Sequence, residues 1–341
     1  MVAFLGQIGA HLFLKPNLRL DRLLLSRAAS AAKRKSFESI VPYRFMASVS
    51  EAPKRPKSKV AVAQLNSTDD IEANFTSVRT LVAEASKQGV QFVCFPETFA
   101  YLGYQGTNPV TGDNNITKKP GLSEPLSGPL FTRYQHLAKE FNIWISYGGF
   151  QETSHVENKT FNAHVIVKPD GEIADVYRKV HLFDCPYAAL FESRNYVAGD
   201  DIKVIDTPFG RIGLAICYDL RFSAHFEAMR SLGVEIILIP AAFTKKTGIA
   251  HWHILQRARA IETQCYVISA AQGGVHNPKR ESFGHALIID PFGRVLADIE
   301  EGVGLAVAEI DLEYLDQVRR EIPTSQHRRF DVYAKYDTAK Q

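Results

Sequence analysis

Residues 211–239, RIGLAICYDLRFSAHFEAMRSLGVEIILI, carry the pattern that decides the fold. Arg211–Ile216 is an apolar run of strand length, Phe222–Leu232 has apolar residues at helical spacing, and Ile236–Ile239 is a second short apolar run. A strand, a helix and a strand in that order form a unit of an α/β domain. Cys217, Tyr218 and Asp219 fall between the first strand and the helix. In such folds, sites are assembled where strand ends feed loops and helix starts. A thiol placed there gains from the positive end of the helix, which favours thiolate.

Working outward, the same alternation recurs. Val60–Leu65 is an apolar run, Ile71–Lys87 has helical spacing, and Gly89 breaks before the run Val90–Phe95. Leu130–Phe141 predicts a helix and Trp144–Gly148 a strand. Phe161–Val167 and Ile173–Arg178 predict two strands joined by the turn Pro169-Asp170-Gly171. After residue 239 come Trp252–Thr263 as a helix and Tyr266–Ala270 as a strand. A hairpin of Ala286–Ile289 and Val295–Ala297 then turns at Asp290-Pro291-Phe292-Gly293. Connections of both kinds predict a layered α/β domain with helices outside a sheet core.

Composition restricts what this domain can do. The 341 residues carry 40 Lys+Arg against 37 Asp+Glu, a net charge of +3. Residues 1–59 hold 12 basic and three acidic side chains, so the leader is +9 and the remainder −6. A body without basic excess predicts no nucleic-acid partner. No run reaches the ~18 apolar residues of a membrane-spanning helix, so no membrane role is expected. The four cysteines lack paired C-x-x-C spacing, which argues against a disulfide scaffold. Cys94 and Cys265 sit in apolar runs and are expected in the core.

Residues 1–46 are Arg-rich, Ser-rich and acid-poor, the pattern of an organelle transit peptide. A mitochondrial destination is expected, with a plastid as the alternative, and a start at Met46 would leave a cytoplasmic form. Residues 47–58 are a Pro- and Lys-containing linker, 59–335 the enzyme domain with its C-terminal extension, and 336–341 a tail.

Three polar residues stand at the ends of apolar strands. Val90–Phe95 leads into Glu97, Ile173–Arg178 into Lys179, and Arg211–Ile216 into Cys217. Each alone has a bland explanation: a helix-start acid, a solvated lysine or a core thiol. Together they supply a base, a cation and a nucleophile, as amide hydrolysis requires.

Phe95-Pro96-Glu97, Tyr177-Arg178-Lys179-Val180-His181 and Ile216-Cys217-Tyr218-Asp219-Leu220-Arg221-Phe222 resemble, in order and spacing, the three signatures of the nitrilase superfamily of carbon–nitrogen hydrolases. The resemblance covers residues 59–335. Ala250-His251-Trp252, the stretch Arg257–Val267 and Gln326-His327-Arg328-Arg329 are similar to its Nit branch, within it to the deaminated glutathione amidases.

The resemblance implies a four-layer α-β-β-α sandwich. It also implies Cys217 as nucleophile, Glu97 as general acid and base, and Lys179 as the cation meeting the oxyanion. The backbone N–H of Tyr218 would be the second oxyanion donor, and Glu192 would position Lys179 and water. The implied reaction opens a primary amide of deaminated glutathione through a Cys217 thioester and releases ammonia. No cofactor is implied, the partner is a small-molecule amide, and a homodimer or higher homo-oligomer is expected. Departures at Ser223-Ala224-His225, at His253, and in the short loop Leu182–Phe191 put the exact amide in question.

The same residues admit other assignments. The alternatives are an ω-amidase or other amide or carbamoyl hydrolase, and a scaffold that kept the fold without the activity. A Cys–His dyad would draw on His181, His251, His253 or His276. No metal is expected, because His251 and His253 are spaced i,i+2 on a helix start and point apart. Gly148-Gly149 and Gly273-Gly274 lack phosphate-loop spacing and are expected to permit turns. Asp219 and Arg221 are expected to be structural charges orienting the turn after Cys217, with Arg221 alternatively touching a substrate carboxylate.

Overall fold

The computed structural model describes residue 55 and residues 57–103, 123–186 and 190–336. The leader 1–46, Met46, most of the linker and the tail beyond residue 336 lie outside the described residues.

Ser58–Leu65 is the organising strand. Its successive side chains point to opposite faces and both faces are buried from Val60 onward, so Val60–Ala63 reads as a continuous apolar run. Val60 and Val62 share one core with Phe92, Cys94 and, from a second sheet, Ile212, Leu214 and Ile236. Ala61, Ala63 and Leu65 face Val78, Leu81 and Val82 of helix Ile71–Lys87 and the helix Pro129–Phe141. Asp70 starts the first of these helices, its carboxylate accepting the N–H groups of Glu72 and Ala73 at 3.1 and 3.0 Å.

The first sheet runs Arg280–Phe283, Ala271–Asn277, Ser58–Leu65, Phe92–Phe95, Trp144–Thr153, Thr160–Val167, Ile173–Arg178. Ser58–Leu65, Phe92–Phe95 and Trp144–Thr153 are parallel, and the last three strands form an antiparallel meander. The second sheet runs Val295–Ile299, Ala286–Ile289, Tyr266–Ser269, Ile236–Leu238, Gly210–Leu214, Val204–Thr207. Helices Ser223–Ser231 and Lys245–Thr263 pack on it. Two sheets face to face with helices on both outer sides make the expected four-layer sandwich.

Several boundaries differ from the sequence expectation. Helix Lys245–Thr263 begins seven residues before Trp252, so His251 and His253 lie inside it and not at its start. Gly304–Ile310 is a strand antiparallel to Ser58–Leu65, a long-range pairing with no local signal. Gly148-Gly149 does not form a loop turn. It lies within strand Trp144–Thr153, where the register shifts between Tyr147 and Phe150. Of the described residues, no helix is long and apolar enough to cross a membrane.

Candidate active site

Strands of both sheets end at one place. Glu97 follows Phe92–Phe95, Lys179 follows Ile173–Arg178, and Cys217 follows Gly210–Leu214 with Ala215 and Ile216 between. Cys217 opens the 3₁₀ turn Cys217–Arg221 with φ +46, a left-handed conformation that a non-glycine residue rarely holds. Its N–H donates to Pro240 O at 2.9 Å. The turn is anchored by Asp219, which is fully buried and accepts from Ile216 N at 2.8 Å and Tyr177 Oη at 2.7 Å. Asp219 is thus the structural charge that was expected.

Lys179 is 1% exposed and has two carboxylates for partners. Its Nζ donates to Glu97 Oε1 at 3.1 Å and to Glu192 Oε1 at 3.0 Å. Glu97 Oε1 also accepts from Asn162 Nδ2 at 2.9 Å, and Oε2 from the Ala242 amide at 3.1 Å. Glu192 Oε2 accepts from the Phe183 amide at 2.8 Å. A buried cation between a buried and a half-buried carboxylate is tolerable only with this density of hydrogen bonds.

The charges set the protonation states. Burial pushes Glu97 up, but the Lys179 charge and hydrogen bonds from Cys217, Asn162 and Lys179 hold it below the usual glutamate range. Burial and the Glu97 charge hold the Cys217 thiol well above its ordinary value, against the pull of Lys179. Lys179 is held well above its ordinary value because Glu192 and Glu97 outweigh its burial. The resting state is therefore thiol, carboxylate and ammonium. This corrects the expectation of a helix-favoured thiolate: desolvation beside an anion outweighs the partial charge of one short turn. A carboxylate bonded to a thiol can take its proton when a carbonyl arrives.

The first N–H groups of a helical turn lack intrahelical acceptors, and the amide of Tyr218 belongs to that set. Tyr218 lines the pocket beside Cys217 and Lys179. Glycines make the approach possible. A Cβ on Gly149, at φ +68, would lie 2.7 Å from Thr98 N and 2.8 Å from Glu97 Cγ. Gly149 therefore keeps the chain behind Glu97 close, a role that turn chemistry did not suggest.

The pocket wall includes Phe183, Leu190 and Phe191 from the segment bridged by the short ladder Asp184–Cys185/Leu190–Phe191. Two guanidiniums complete it. Arg221 Nη1 lies 3.2 Å from His251 Nδ1 and its side chain stands over the Phe243 ring, so it is more than an orienting charge. Arg280 was missed in the sequence. It donates to the carbonyl of Ala242, the residue whose amide holds Glu97, and its Nε is buried without a partner. Nothing local marks Arg280 or Asn162, because each reaches the site from another strand.

Ser223, Ala224, His225 and His253 are absent from this wall. His225 packs on Tyr177 at 5.9 Å and so supports the Asp219 anchor from behind. The histidines offered for a dyad are engaged elsewhere. His181 bonds Asp219, His251 meets Arg221, His253 meets Asp298, and His276 meets Ser67 O. Cys94 and Cys265 are buried in the core.

The carbon-nitrogen hydrolase family model matches residues 59–320. A deaminated glutathione amidase of Bos taurus is 44% identical over 281 residues, covering 80% of this chain and 83% of that protein. The crystal structure of the C. elegans NitFhit protein superposes with TM-score 0.74 at 38% identity, covering 82% of this chain and 67% of that one. Saccharomyces cerevisiae Nit3, a member of branch 10 of the nitrilase superfamily, gives 0.69 at 29% identity, covering 80% and 97%. The chain belongs to the carbon–nitrogen hydrolase family.

Proposed function

We propose that this enzyme hydrolyses deaminated glutathione through a thioester on Cys217. The observation that carries the chemistry is Lys179 held between Glu97 and Glu192 in one pocket with Cys217. Glu97 takes the thiol proton as sulfur attacks the amide carbon. Lys179 and the Tyr218 amide receive the oxyanion. Glu97 returns the proton to the leaving nitrogen, then deprotonates the water that opens the thioester, while Glu192 positions Lys179. Because Glu97 is held below the glutamate range, kcat/KM should keep its plateau down to pH values where an ordinary glutamate would protonate.

The substrate's chemistry refines the leaving group. Glutathione without its amino group holds its amides as secondary amides, so an amine of a dipeptide departs in place of ammonia. It carries a carboxylate at each end, and the wall offers two guanidiniums, Arg221 and Arg280. The relatives named deaminated glutathione amidase support the same substrate.

The test is a panel of deaminated glutathione and α-ketoglutaramate with the native chain and Arg280→Met. Dipeptide release, with KM raised about tenfold or more in R280M and kcat less affected, is the expected result. Turnover of α-ketoglutaramate alone would make the chain an ω-amidase. No turnover of either would leave the scaffold alternative.

We also propose a homo-oligomer. Helix Lys245–Thr263 exposes Ile249 and Ile254 at 68% and 70%, a cost in water that a second copy would remove. Sedimentation at several concentrations should show a dimer or larger; a monomer throughout would refute it. The leader is proposed as a mitochondrial address, and an endogenous protein still carrying residues 1–46 in mitochondria would contradict its removal.

A further inference from the structure

A second cluster of ligand-type side chains lies outside the pocket, where helix Lys245–Thr263 meets the hairpin of Ala286–Ile289 and Val295–Ile299. His253 Nε2 is 2.8 Å from Asp298 Oδ2, and His285 Nδ1 is 3.0 Å from Oδ1 of the same carboxylate. The three donor atoms lie within 4.8 Å of one another. The imidazole rings meet edge to face at 72°, with centroids 4.7 Å apart, so their nitrogens converge on the carboxylate without stacking.

We propose that His253, His285 and Asp298 bind a divalent transition-metal ion, with zinc the best match. Two neutral imidazoles and one carboxylate carry a single negative charge toward the ion. Imidazole donors select zinc-like metals over magnesium or calcium. In a tetrahedral zinc site, ligand atoms ~2.0–2.1 Å from the metal stand roughly 3.3 Å from each other. The two N···O separations here, one to each oxygen of Asp298, are hydrogen-bond lengths a few tenths of an ångström shorter than that edge, and side-chain rotations would gather both nitrogens and one oxygen round an ion. Water would take the fourth position, since the side chains of His253, His285 and Asp298 are 36%, 23% and 24% exposed.

The backbone is also committed to this arrangement. His285 stands at φ +58, directly after Gly284 at φ +82. Its carbonyl accepts from Trp252 Nε1 at 2.8 Å, and Trp252 is the residue beside His253. One ligand's chain neighbour thus fixes the other ligand's backbone in an uncommon conformation. Phe283 packs 4.5 Å from His285 and 6.0 Å from His253, giving the pair an apolar backing. Among the described residues, the ion-pair partners of Asp298 are these two histidines, with no Lys or Arg competing for the carboxylate.

Spacing within the helix concealed the cluster. His251 and His253 do point apart, His251 to Arg221 and His253 to Asp298. The other ligands arrive from a loop and a strand far along the chain. The ion would displace the shared protons and tie the helix to the hairpin, away from Cys217.

The test measures zinc on the full chain. Protein is equilibrated with zinc chloride, desalted and analysed for bound metal, and affinity is read by competition with a chromophoric chelator. The native chain and Cys217→Ser should each retain one equivalent. His253→Gln and Asp298→Asn should each bind at least about tenfold more weakly, as loss of a metal's support does. Circular dichroism and amidase rate of His253→Gln without zinc serve as the folding control. No retained zinc in the native chain, equal retention in His253→Gln and Asp298→Asn, or loss of zinc in Cys217→Ser would each overturn the proposal. The last result would place the metal on the thiol.

Discussion

Cys217→Ser should lower kcat/KM on deaminated glutathione by ~10⁴-fold or more with little change in melting temperature. Serine fits the backbone at φ +46 as well as cysteine does, and the hydrogen bonds that hold the turn run through Asp219 and the Cys217 amide. The thiol already resists ionisation, because burial and the Glu97 charge oppose it. A hydroxyl, with a far higher intrinsic pKa, gives its proton to Glu97 at much greater cost and is the weaker nucleophile. Steady-state rates and thermal melts decide the matter. A variant turning over within tenfold of the native enzyme would remove Cys217 from the role of nucleophile.

Lys179→Ala should abolish turnover and also destabilise the fold, by about 3–5 kcal/mol near neutral pH. At an exposed site such a substitution would cost activity and little stability. Burial changes that, since removing the cation leaves the buried Glu97 and the half-buried Glu192 without their shared partner. Both would then be raised above their unfolded values, and the sign follows. A carboxyl with a raised folded pKa contributes its stability below the unfolded value, ~4.3, and loses it as pH rises through the folded value. The deficit against the native chain should therefore widen from pH 5 to pH 8 in urea unfolding. An equal deficit at both pH values would show that the carboxyls do not take up protons. Lys179→Met, which refills the volume, should recover part of the stability and none of the activity.

The two results also separate what each residue contributes. On the proposed mechanism Cys217 would supply the reacting atom and little of the stability. Lys179 is a charge on which two others depend, so its loss is felt in both readouts.

The architecture was legible where local pattern and tertiary demand agreed. Val60–Ala63 and Ile236–Leu238 are apolar on every side chain because both of their faces are covered, so their runs stood out. The turn at Asp170-Gly171 was legible because Gly171 needs φ +88. Gly304–Ile310 was not, because its pairing to Ser58–Leu65 spans most of the chain. Helix Lys245–Thr263 was only half legible, since its first turns expose Ile249 and blur the apolar stripe.

The sequence by itself determined the family and singled out Glu97, Lys179 and Cys217 as the candidate reacting groups, because each sits in a short contiguous motif. It could not determine their ionisation, the partner of His253 or the presence of Arg280 in the pocket. Those depend on desolvation and on distances between residues on different strands. Ala242 is the plainest case: one residue whose N–H holds Glu97 and whose carbonyl holds Arg280. Electrostatic energy depends on separation in space and on how much water is excluded, and only the packing of one sheet against the other sets either.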